Sequence, residues 1–478
     1  MIRLIPQPLF TEQKNDKPSV KAENLTVKSD KLNTLFGKGS YRLVIRFDGI
    51  LVQYEDDSGL FYAKKTLEQL KKLYDGVVPQ CTIEDAPRFE YRGFMIDCAR
   101  HMFPVHELKR MIDTAAELKL NRFHWHLADD QGFRIELKAF PELTRFGSVR
   151  RGERFGRYIK SDKPYGGFYT QAEIKDIVDF CHERFIEVVP ELDVPGHCSA
   201  LLHVFPELSC GGKSVKIKMS NGIFKDVLCV GEEKTETVIR SIVSEMCELF
   251  PDEYFHIGGD EVPRDNWKTC PKCRSLMKSA GINELDGLQQ LFINSVAAFL
   301  QEKGKKVIGW NECLKGGKLD EKIVVERWLD SNGSAIKAAN SGRKVIMAPM
   351  NPFYADYPYS VYPLKKVYSY EPTEVSGLNK NGAENIIGVE SPVWTEFITD
   401  CASLESRCFP RWFAVAETAW SMPENKSYGE FLSVCTKLAR ILHSNGVNCA
   451  PQDEWNPNGI KKWRMSTRFM HNYSTTGK

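Results

Sequence analysis

No stretch of the 478-residue sequence approaches the roughly 20 consecutive apolar residues that a membrane-spanning helix requires. The opening segment, MIRLIPQPLFTEQKNDKPSV, also lacks the apolar run of a secretory signal. We therefore predict a soluble protein that is not exported, with a cytoplasmic location. A leader that had been removed would leave the same pattern.

Charge of one sign is not in excess either. The 65 basic and 63 acidic residues leave a formal net charge of +2 at pH 7. A chain this balanced gives no electrostatic reason to expect nucleic acid or an anionic membrane as a partner. We expect a neutral or mixed partner, and the composition indicates no oligomeric state.

The 14 cysteines lack the spacing of a disulfide framework, and several lie among apolar neighbours, as Cys98 and Cys181 do. This pattern favours buried free thiols in a reducing compartment. The one close pair is CPKC, at Cys270 and Cys273. Because no second CxxC and no neighbouring His pair accompany it, we interpret it as a structural turn rather than half of a zinc site or a redox motif.

The sequence divides into three parts. Residues 1–85 contain the alternating YRLVIRFDGILVQY and the helical GLFYAKKTLEQLKKLY, which predict a small α/β domain. The segment VVPQCTIEDAPRFEY has two prolines and is predicted to be a linker into residues 86–445. Residues 446–478 carry no motif, and we expect disorder there and in the first 20 or so residues.

Residues 86–445 alternate short apolar runs with segments of helical periodicity. Pro104 near the start of PVHELKRMIDTAAELKL and Thr170 before QAEIKDIVDFCHERF are helix-start signals. Eight such alternations predict a (β/α)8 TIM barrel. The predicted strands are FEYRGFMIDCA, NRFHWHLAD, IEVVPELDVPG, YFHIGGDE, KVIGWNE, IVVERW, KVIMAPM and IIGVESPVWTE.

Polar and aromatic residues gather at the carboxyl ends of seven of these strands. Those ends share one face of a barrel, which is where barrel enzymes build their active sites. The residues are Asp97, Arg100 and His101; His124, His126, Asp129 and Asp130; Glu191, Asp193 and His197; Asp260 and Glu261; Trp310 and Glu312; Glu326 and Trp328; and Trp394 and Glu396.

Two adjacent carboxylates, Asp260 and Glu261, follow a pair of glycines in YFHIGGDE. Side chains alternate between faces within a strand, but that rule lapses at its end, and the glycines permit conformations and close approaches that other residues do not. Two close carboxylates split their titration, so that one stays ionised while the other holds its proton. Because FHIGGDE is apolar and glycine-rich, we interpret the pair as an acid and a base rather than as a surface loop.

Trp310, Trp328 and Trp394 each end a different predicted strand. A single Trp usually fills a core, but three around one cavity suit the apolar faces of a sugar ring and an N-acetyl methyl group. Tyr354 and Asp356, in NPFYADYPYSVY after the seventh strand, are candidates that decide nothing alone.

His124 and His126 raise the alternative of a metal-dependent hydrolase, because a HisXHis at a barrel strand end can hold a divalent ion. That site would need a His on the fifth or sixth strand, and neither KVIGWNE nor IVVERW contains one. We therefore favour His124 and His126 as hydrogen-bond partners of the surrounding carboxylates, and expect no metal or other cofactor.

From about residue 40 to 445 the sequence resembles glycoside hydrolase family 20, the β-N-acetylhexosaminidases. The motifs that carry the resemblance are PRFEYRGFMIDCARH, FHWHLADDQGFRIEL, VVPELDVPGH, HIGGDEV, GWNE, FYADY, VWTE and PRWFAVAETAWS. The resemblance implies an N-terminal α/β domain before the barrel. It also implies an exo-acting, retaining enzyme that releases terminal β-linked N-acetylglucosamine or N-acetylgalactosamine from an oligosaccharide or glycoconjugate, with the substrate's acetamido group as nucleophile.

The resemblance further implies roles for single residues. Glu261 is the general acid and later the base, Asp260 stays ionised and orients the acetamido N–H, and Tyr354 binds the acetamido oxygen. The remaining implied residues are Trp310, Trp328 and Trp394 as pocket walls; Arg92, Asp356 and Glu396 for the outer hydroxyls; and Asp129, Asp130 and His197 as the support that tunes Glu261.

Two further readings stay open at this point. One is a conventional retaining glycosidase in which Glu396 or Glu191 is a covalent nucleophile. The other is a carbohydrate-binding barrel without catalysis, which would have no need of a proton donor at Glu261.

Overall fold

The computed structural model describes residues 2–32 and 36–473. Its first part is a five-stranded sheet of order β1-β7-β4-β5-β3, with a separate antiparallel pair of β2 and β6. The strands are β1 (Phe10–Gln13), β2 (Val20–Lys21), β3 (Val27–Lys31), β4 (Tyr41–Arg46), β5 (Gly49–Tyr54), β6 (Val77–Val78) and β7 (Cys81–Asp85).

One helix, α1 (Asp57–Leu73), covers this sheet. The alternation in β4 turns Leu43 and Ile45 into a core that α1 completes with Ala63 and Leu70. Asp56 caps the helix by accepting a hydrogen bond from the backbone N–H of Gly59 at 2.9 Å. The predicted small α/β domain is therefore present.

The predicted linker VVPQCTIEDAPRFEY is wrong over Cys81–Asp85, which form strand β7 between β1 and β4. Cys81, Ile83 and Asp85 are buried and alternate with less buried residues, the period of a sheet strand. Both prolines lie outside the strand, so they do not interrupt its hydrogen-bonded ladder. The alternation of side chains along this segment therefore indicated its structure better than its two prolines did.

The second part is a closed barrel of eight parallel strands, in the cyclic order β8-β9-β16-β17-β18-β19-β20-β21. All eight predicted strands are found, and the (β/α)8 prediction is confirmed. Strands 8 to 15 are β8 (Tyr91–Asp97), β9 (Arg122–His126), β10 (Ala128–Asp129), β11 (Gly132–Phe133), β12 (Val149–Arg150), β13 (Glu153–Phe155), β14 (Ile159–Ser161) and β15 (Tyr165–Gly166). The remaining strands are β16 (Glu187–Glu191), β17 (Tyr254–His256), β18 (Lys306–Trp310), β19 (Val324–Arg327), β20 (Val345–Met347) and β21 (Ile386–Val393).

Helices surround this ring, except that a 3-10 turn at Asn311–Leu314 is the only helical element between β18 and β19. Thr170 caps α4 in a full capping box with Glu173, as its sequence predicts. The helices are α2 (Val105–Glu117), α3 (Pro141–Phe146), α4 (Gln171–His182), α5 (Ser199–Val204), α6 (Glu233–Leu249), α7 (Asp265–Thr269), α8 (Pro271–Ser279), α9 (Leu285–Glu302), α10 (Ser334–Asn340), α11 (Met350–Phe353), α12 (Leu364–Tyr368), α13 (Lys380–Ala383), α14 (Cys401–Cys408), α15 (Arg411–Trp420), α16 (Tyr428–Ser444) and α17 (Gly459–Tyr473).

The barrel interior is layered. An apolar cluster that includes Tyr91, Tyr254 and Val324 fills the end at which the strands begin. Buried ionisable side chains, among them His124 and Glu326, lie farther along the strands. The change from apolar to polar filling along the strands directs the polar chemistry toward the carboxyl-terminal mouth.

The C-terminal segment is not disordered where the structure describes it. Trp455 is buried, and α17 follows it to residue 473. Its Asn472 side chain accepts a hydrogen bond from the backbone N–H of Arg157 at 2.8 Å, so the helix is tied to the loop after β9. Residues 474–478 lie outside the described residues. None of the described helices is long and apolar enough to cross a membrane.

No cysteine among the described residues forms a disulfide, and all of them are buried except the half-buried Cys210 and Cys247. The prediction that Cys270 and Cys273 form a turn is wrong. Cys270 precedes α8 and Cys273 lies in its first turn, with Pro271 at the first helical position.

A buried carboxylate, that of Asp85, lies at the contact between the two domains. It accepts hydrogen bonds from Tyr41 Oη at 2.6 Å, Lys119 Nζ at 2.7 Å and Trp420 Nε1 at 2.8 Å. Lys119 follows α2 of the barrel, and its side chain is only 3% exposed. Charged groups this deeply buried depend on each other, because neither can regain its hydration in place.

We expect Lys119→Met to lower the free energy of unfolding by about 3–5 kcal/mol, because it leaves Asp85 as a buried charge without its cation. Equilibrium denaturant unfolding measures the change. Lys109→Met is the matched control, since it removes a partly exposed lysine from an ion pair with Asp176, where a loss of at most about 1 kcal/mol is expected. Equal losses in the two variants would contradict the role given to the Asp85–Lys119 pair.

Candidate active site

A cavity of about 250 Å³ opens at the carboxyl ends of the barrel strands. The segments after seven of the eight strands line it, and only β18 contributes no lining residue. The lining residues are Arg100, Asp129, Asp193, His197, Asn221, Gly222, Ile223, Asp260, Glu261, Trp328, Met350, Tyr354, Asp356, Tyr357, Trp394, Glu396, Phe397 and Phe469. The predicted convergence of strand ends on one polar, aromatic pocket is therefore present.

The turn after β17 brings Asp260 and Glu261 to the cavity together. Gly258, Gly259 and Glu261 all have positive φ, at 63°, 89° and 45°. A Cβ at Gly258 would lie 1.8 Å from Asp193 Oδ1, and one at Gly259 would lie 2.3 Å from the sulfur of Cys313. Any other residue at Gly258 or Gly259 would clash with these atoms and would also strain the backbone. The surrounding structure holds Glu261 in its strained conformation.

Glu261 faces His197, whose Nε2 lies 3.6 Å from Glu261 Oε2. On its other side, His197 Nδ1 lies 3.3 Å from Asp129 Oδ1 and 3.4 Å from Asp130 Oδ2. Burial opposes protonation of His197, but Asp129, Asp130 and Glu261 outweigh it and raise its pKa well above the usual value. His197 is therefore an imidazolium at neutral pH, between the acidic pair of the turn and the acidic pair after β9.

Asp129 is the point at which several charges meet. It lies 2.5 Å from the Arg100 guanidinium and 3.1 Å from His126 Nε2. Burial disfavours its ionised form, but Arg100 and His197 hold the pKa of Asp129 below its ordinary range. Asp130 does not line the cavity; its Oδ1 accepts a hydrogen bond from the backbone N–H of Ser199 at 2.9 Å.

Asp260 was expected to stay ionised, but its surroundings in the free protein favour the protonated form. Burial, followed by the nearby Asp193, raises its pKa well above the usual value, although His197 acts in the opposite direction. Asp193 has its own pKa raised to about 7, chiefly by burial, and accepts the backbone N–H of Gly259 at 2.9 Å. In the free protein both carboxyl groups therefore hold a proton more readily than an exposed Asp does.

Three polar atoms of the pocket have no hydrogen-bond partner among the described residues: Asp260 Oδ1, Asp356 Oδ1 and Trp328 Nε1. Buried polar atoms are rarely left unpaired, so each of these is a position at which a ligand atom is expected. Two are acceptors and one is a donor. The pocket therefore suits a ligand that carries both N–H or O–H donors and an acceptor.

Tyr354 and Asp356 lie in the segment after β20, and the cavity includes both. The Tyr354 ring stacks on Trp328, with centroids 6.2 Å apart and planes at 17°. Burial raises the pKa of Tyr354 well above its usual value, so the phenol remains a hydrogen-bond donor. Burial and the neighbouring Glu396 raise the pKa of Asp356 to about 7.

Two of the three predicted tryptophans line the cavity. Trp328 and Trp394 come one residue after β19 and β21, whereas Trp310 is the last residue of β18. Trp310 is not among the residues that line the cavity, so its role as a pocket wall stays a prediction. Trp310 is buried, donates to Glu191 Oε1 at 3.0 Å and packs behind Trp394.

The prediction that Arg92 lies in the substrate site is wrong. Arg92 is the second residue of β8, at the amino-terminal end of the barrel, and its guanidinium binds Lys119 O, Phe89 O and Tyr62 Oη at 2.8 Å each. Arg100, three residues beyond the same strand, lines the cavity and lies 4.9 Å above the Trp394 ring. Strand position separates the two arginines, since only residues beyond the carboxyl end reach the mouth.

His124 and His126 contact carboxylates, as predicted. His124 Nδ1 lies 2.8 Å from Glu390 Oε1, and His126 Nδ1 binds Glu191. Although burial opposes protonation, Glu191 and Asp129 raise the pKa of His126 to about 9. His124, Glu191 and His256 also lie close enough together to hold a metal ion. The metal-dependent hydrolase therefore stays an untested alternative, and the contacts of both histidines with carboxylates favour the hydrogen-bonding role.

Several lining residues had no predicted role. Asp193 and Arg100 were among the polar residues predicted at the strand ends, so the sequence carried a signal for both. Phe469 of α17 and residues 221–223 carried none, because they lie far along the chain from any strand end.

Comparison with known proteins decides the family. The model of the glycosyl hydrolase family 20 catalytic domain matches residues 89–423, and that of family 20 domain 2 matches residues 3–86.

The chain belongs to glycosyl hydrolase family 20.

Its relatives include a β-hexosaminidase of Porphyromonas gingivalis, 36% identical over 421 residues, and one of Akkermansia muciniphila, 32% identical over 444 residues. The alignments cover 84% and 90% of this family 20 chain, and 53% and 88% of those relatives, so the chain spans about half the length of the first. The solved exo β-N-acetylglucosaminidase of Vibrio harveyi, in complex with N-acetylglucosamine, is 30% identical with a TM-score of 0.84, covering 94% of this chain and 78% of that one.

Replacing Asp129 with Asn should lower the pKa of His197 toward its ordinary value of about 6.5, because the largest interaction that favours the imidazolium is lost. Titration of the histidine ring signals by NMR measures it. Asp176→Asn, on an exposed ion pair with Lys109, should leave the His197 signal unchanged. An unchanged or higher pKa in Asp129→Asn would show that Asp129 does not set the charge of His197.

Proposed function

We propose that this family 20 protein is an exo-acting, retaining β-N-acetylhexosaminidase that releases terminal β-linked N-acetylglucosamine or N-acetylgalactosamine. The observation that carries the proposal is the pairing of an unpartnered, buried oxygen, Asp260 Oδ1, with the adjacent carboxyl group of Glu261, which lies 3.6 Å from His197 Nε2. The names of its relatives, and the N-acetylglucosamine bound to the Vibrio harveyi enzyme, support the same activity.

In the first step, the acetamido carbonyl oxygen of the substrate attacks the anomeric carbon as the glycosidic C–O bond breaks. Glu261 gives its proton to the departing oxygen and becomes a carboxylate, which the His197 imidazolium stabilises from 3.6 Å. The product of this step is a cyclic oxazolinium ion. Substrate assistance of this kind is known among glycosidases that lack an enzyme nucleophile.

In the second step, water attacks the anomeric carbon and opens the oxazolinium ring. Glu261 takes the proton of that water, which restores the enzyme and the acetamido group. Two displacements at the same carbon return the original configuration, so the reaction is retaining.

Asp260 and Tyr354 hold the acetamido group in this proposal. Asp260 Oδ1 accepts the acetamido N–H, and a donor at that atom favours the carboxylate over the acid. Binding therefore supplies the ionised Asp260 that burial disfavours in the free protein. Tyr354 donates to the acetamido oxygen, and Trp328 with Trp394 encloses the methyl group.

The outer hydroxyls are assigned to Arg100, Asp356 and Glu396. These three residues line the cavity, and Asp356 Oδ1 is one of its unpartnered acceptors. Arg100 replaces Arg92 in this role. Hydrogen bonds to the hydroxyls of the terminal sugar would select a non-reducing end, which is the basis for proposing exo action.

A conventional retaining glycosidase with an enzyme nucleophile is the second candidate. Glu191 does not suit that role, since it is fully buried and binds His126 and Trp310 below the cavity. Glu396 lines the cavity and is therefore the nucleophile that this second candidate requires. Turnover of β-glycosides without an acetamido group, together with indifference to a thiazoline mimic of the oxazolinium ion, would favour it.

Glu261→Gln should lower kcat by about 10²- to 10⁴-fold, because Gln has no proton to give. The loss should be smaller for nitrophenyl N-acetyl-β-hexosaminides than for natural disaccharides, since nitrophenolate leaves without protonation. Glu312→Gln is the matched control; Glu312 pairs with Lys315 and does not line the cavity. Unchanged turnover in Glu261→Gln, with folding intact, would refute the proposed function.

The pH dependence of kcat/KM should report the Asp260 and Asp193 pair. Because Asp193 raises the pKa of Asp260, Asp193→Asn lowers that pKa, and the ionised Asp260 persists to lower pH. The acid limb of the profile should therefore move to lower pH, while the exposed Asp265→Asn leaves it in place. An acid limb that stays fixed or moves to higher pH in Asp193→Asn would contradict this coupling.

A further inference from the structure

Four cysteines converge in one small region behind the catalytic turn. The sulfurs of Cys210, Cys229, Cys270 and Cys273 all lie within 4.8 Å of one another. The Cys229 sulfur is 3.6 Å from those of Cys270 and Cys273, and the Cys210 sulfur is 3.8 Å from that of Cys273. Two ligands thus come from the long segment after α5 and two from the start of α8.

These separations match a tetrahedral metal–thiolate site. With zinc–sulfur bonds of about 2.3 Å, the sulfurs at the corners of a tetrahedron are about 3.8 Å apart. A disulfide would need two of the sulfurs at about 2.0 Å. An iron–sulfide cluster would place the four cysteine sulfurs farther apart, because its inorganic core fills the centre.

The backbone is shaped to bring the two segments together. A Cβ at Gly231 would lie 2.4 Å from the carbonyl carbon of Lys272 and 2.5 Å from the backbone nitrogen of Cys273. Only glycine therefore lets the first segment pass this close to the start of α8. Trp267 adds a hydrogen bond from its Nε1 to Leu228 O at 2.8 Å, one residue before Cys229.

The surroundings are largely apolar, and three of the four cysteines are buried. Cys229, Cys270 and Cys273 are buried in a cluster with Val262, Trp267 and Leu288 that is separate from the main core. Four thiolates in such a place would repel one another, whereas a bound cation balances their charge and takes all four groups as ligands. Since the protein supplies all four corners, no position is open for substrate or water.

We propose that Cys210, Cys229, Cys270 and Cys273 bind one structural zinc ion. The tetrahedral spacing of their sulfurs, from two segments held together by Gly231, carries the assignment. It replaces the interpretation of CPKC as a turn. The sequence concealed the site because the partners of that pair lie 41 and 63 residues upstream, measured from Cys229 to Cys270 and from Cys210 to Cys273.

The zinc ion has a definite place in the architecture. Residues 209–232 contain no helix or strand, only an isolated bridge between Ser209 and Leu228. This segment carries Asn221, Gly222 and Ile223 to the cavity rim. Val262, next to Glu261, packs in the same cluster as the four cysteines. The ion therefore fixes a rim segment against the turn that holds the catalytic pair.

Metal analysis of the full chain tests the proposal. The protein is produced in zinc-supplemented medium and purified through a tag that needs no metal, and zinc, iron and other metals are measured per chain. We expect one zinc per chain in the parent protein. We expect little in Cys229→Ser and Cys270→Ser, and one in the control Cys247→Ser, whose half-buried thiol lies on α6 outside the cluster.

Two further measurements guard against variants that fail to fold. In the parent protein, four thiols should react only after zinc is displaced, and exchange with cobalt should produce the visible absorption of tetrahedral cobalt thiolate. Cys210→Ser, at the half-buried corner, should keep its fold with weakened zinc retention and a lower Tm. A parent protein without zinc, with iron instead, or with these cysteines in disulfides would overturn the proposal. None of these results depends on glycosidase activity.

Discussion

The closed ring of parallel strands is the constraint on which the rest of the molecule depends. Neighbouring strands are paired around the whole ring, and closure leaves no exposed edge. Because all eight strands run the same way, their carboxyl ends meet at one mouth. Residues from the segments after seven strands, far apart along the chain, are thereby brought into a single cavity. The proposed chemistry follows from that convergence.

Buried charge is the second constraint, and it is balanced locally. Above the apolar end of the barrel, His124 and His126 contact Glu390 and Glu191, and Arg100 contacts Asp129. Compensation is incomplete at the cavity, where Asp260 carries an unpartnered oxygen and a raised pKa. A substrate that brings an N–H donor to this atom completes the network. Binding and activation of Asp260 are therefore one event in the proposed mechanism.

Two segments outside the ring of strands also contribute residues to the cavity. Helix α17 carries Phe469 to the cavity, and the segment 209–232 carries Asn221–Ile223. Neither can be held by barrel hydrogen bonds, so each needs its own attachment. For α17 it is the contact of Asn472 with Arg157, and for the segment it is the cysteine cluster that we assign to zinc.

The sequence by itself determined the eight strands, the barrel class, the helix that starts at Thr170 and the glycine-framed pair Asp260 and Glu261, because each depends on local periodicity, capping or backbone conformation. Only the tertiary structure decided which residues reach the cavity. Arg92 and Trp310 lie within strands and are not among the residues that line the cavity, whereas Arg100 lies beyond a strand end and lines it. The cluster of four cysteines and the position of Phe469 at the cavity depend on partners distant in sequence. Contacts of that kind leave no periodic trace in the chain, so spacing alone does not reveal them.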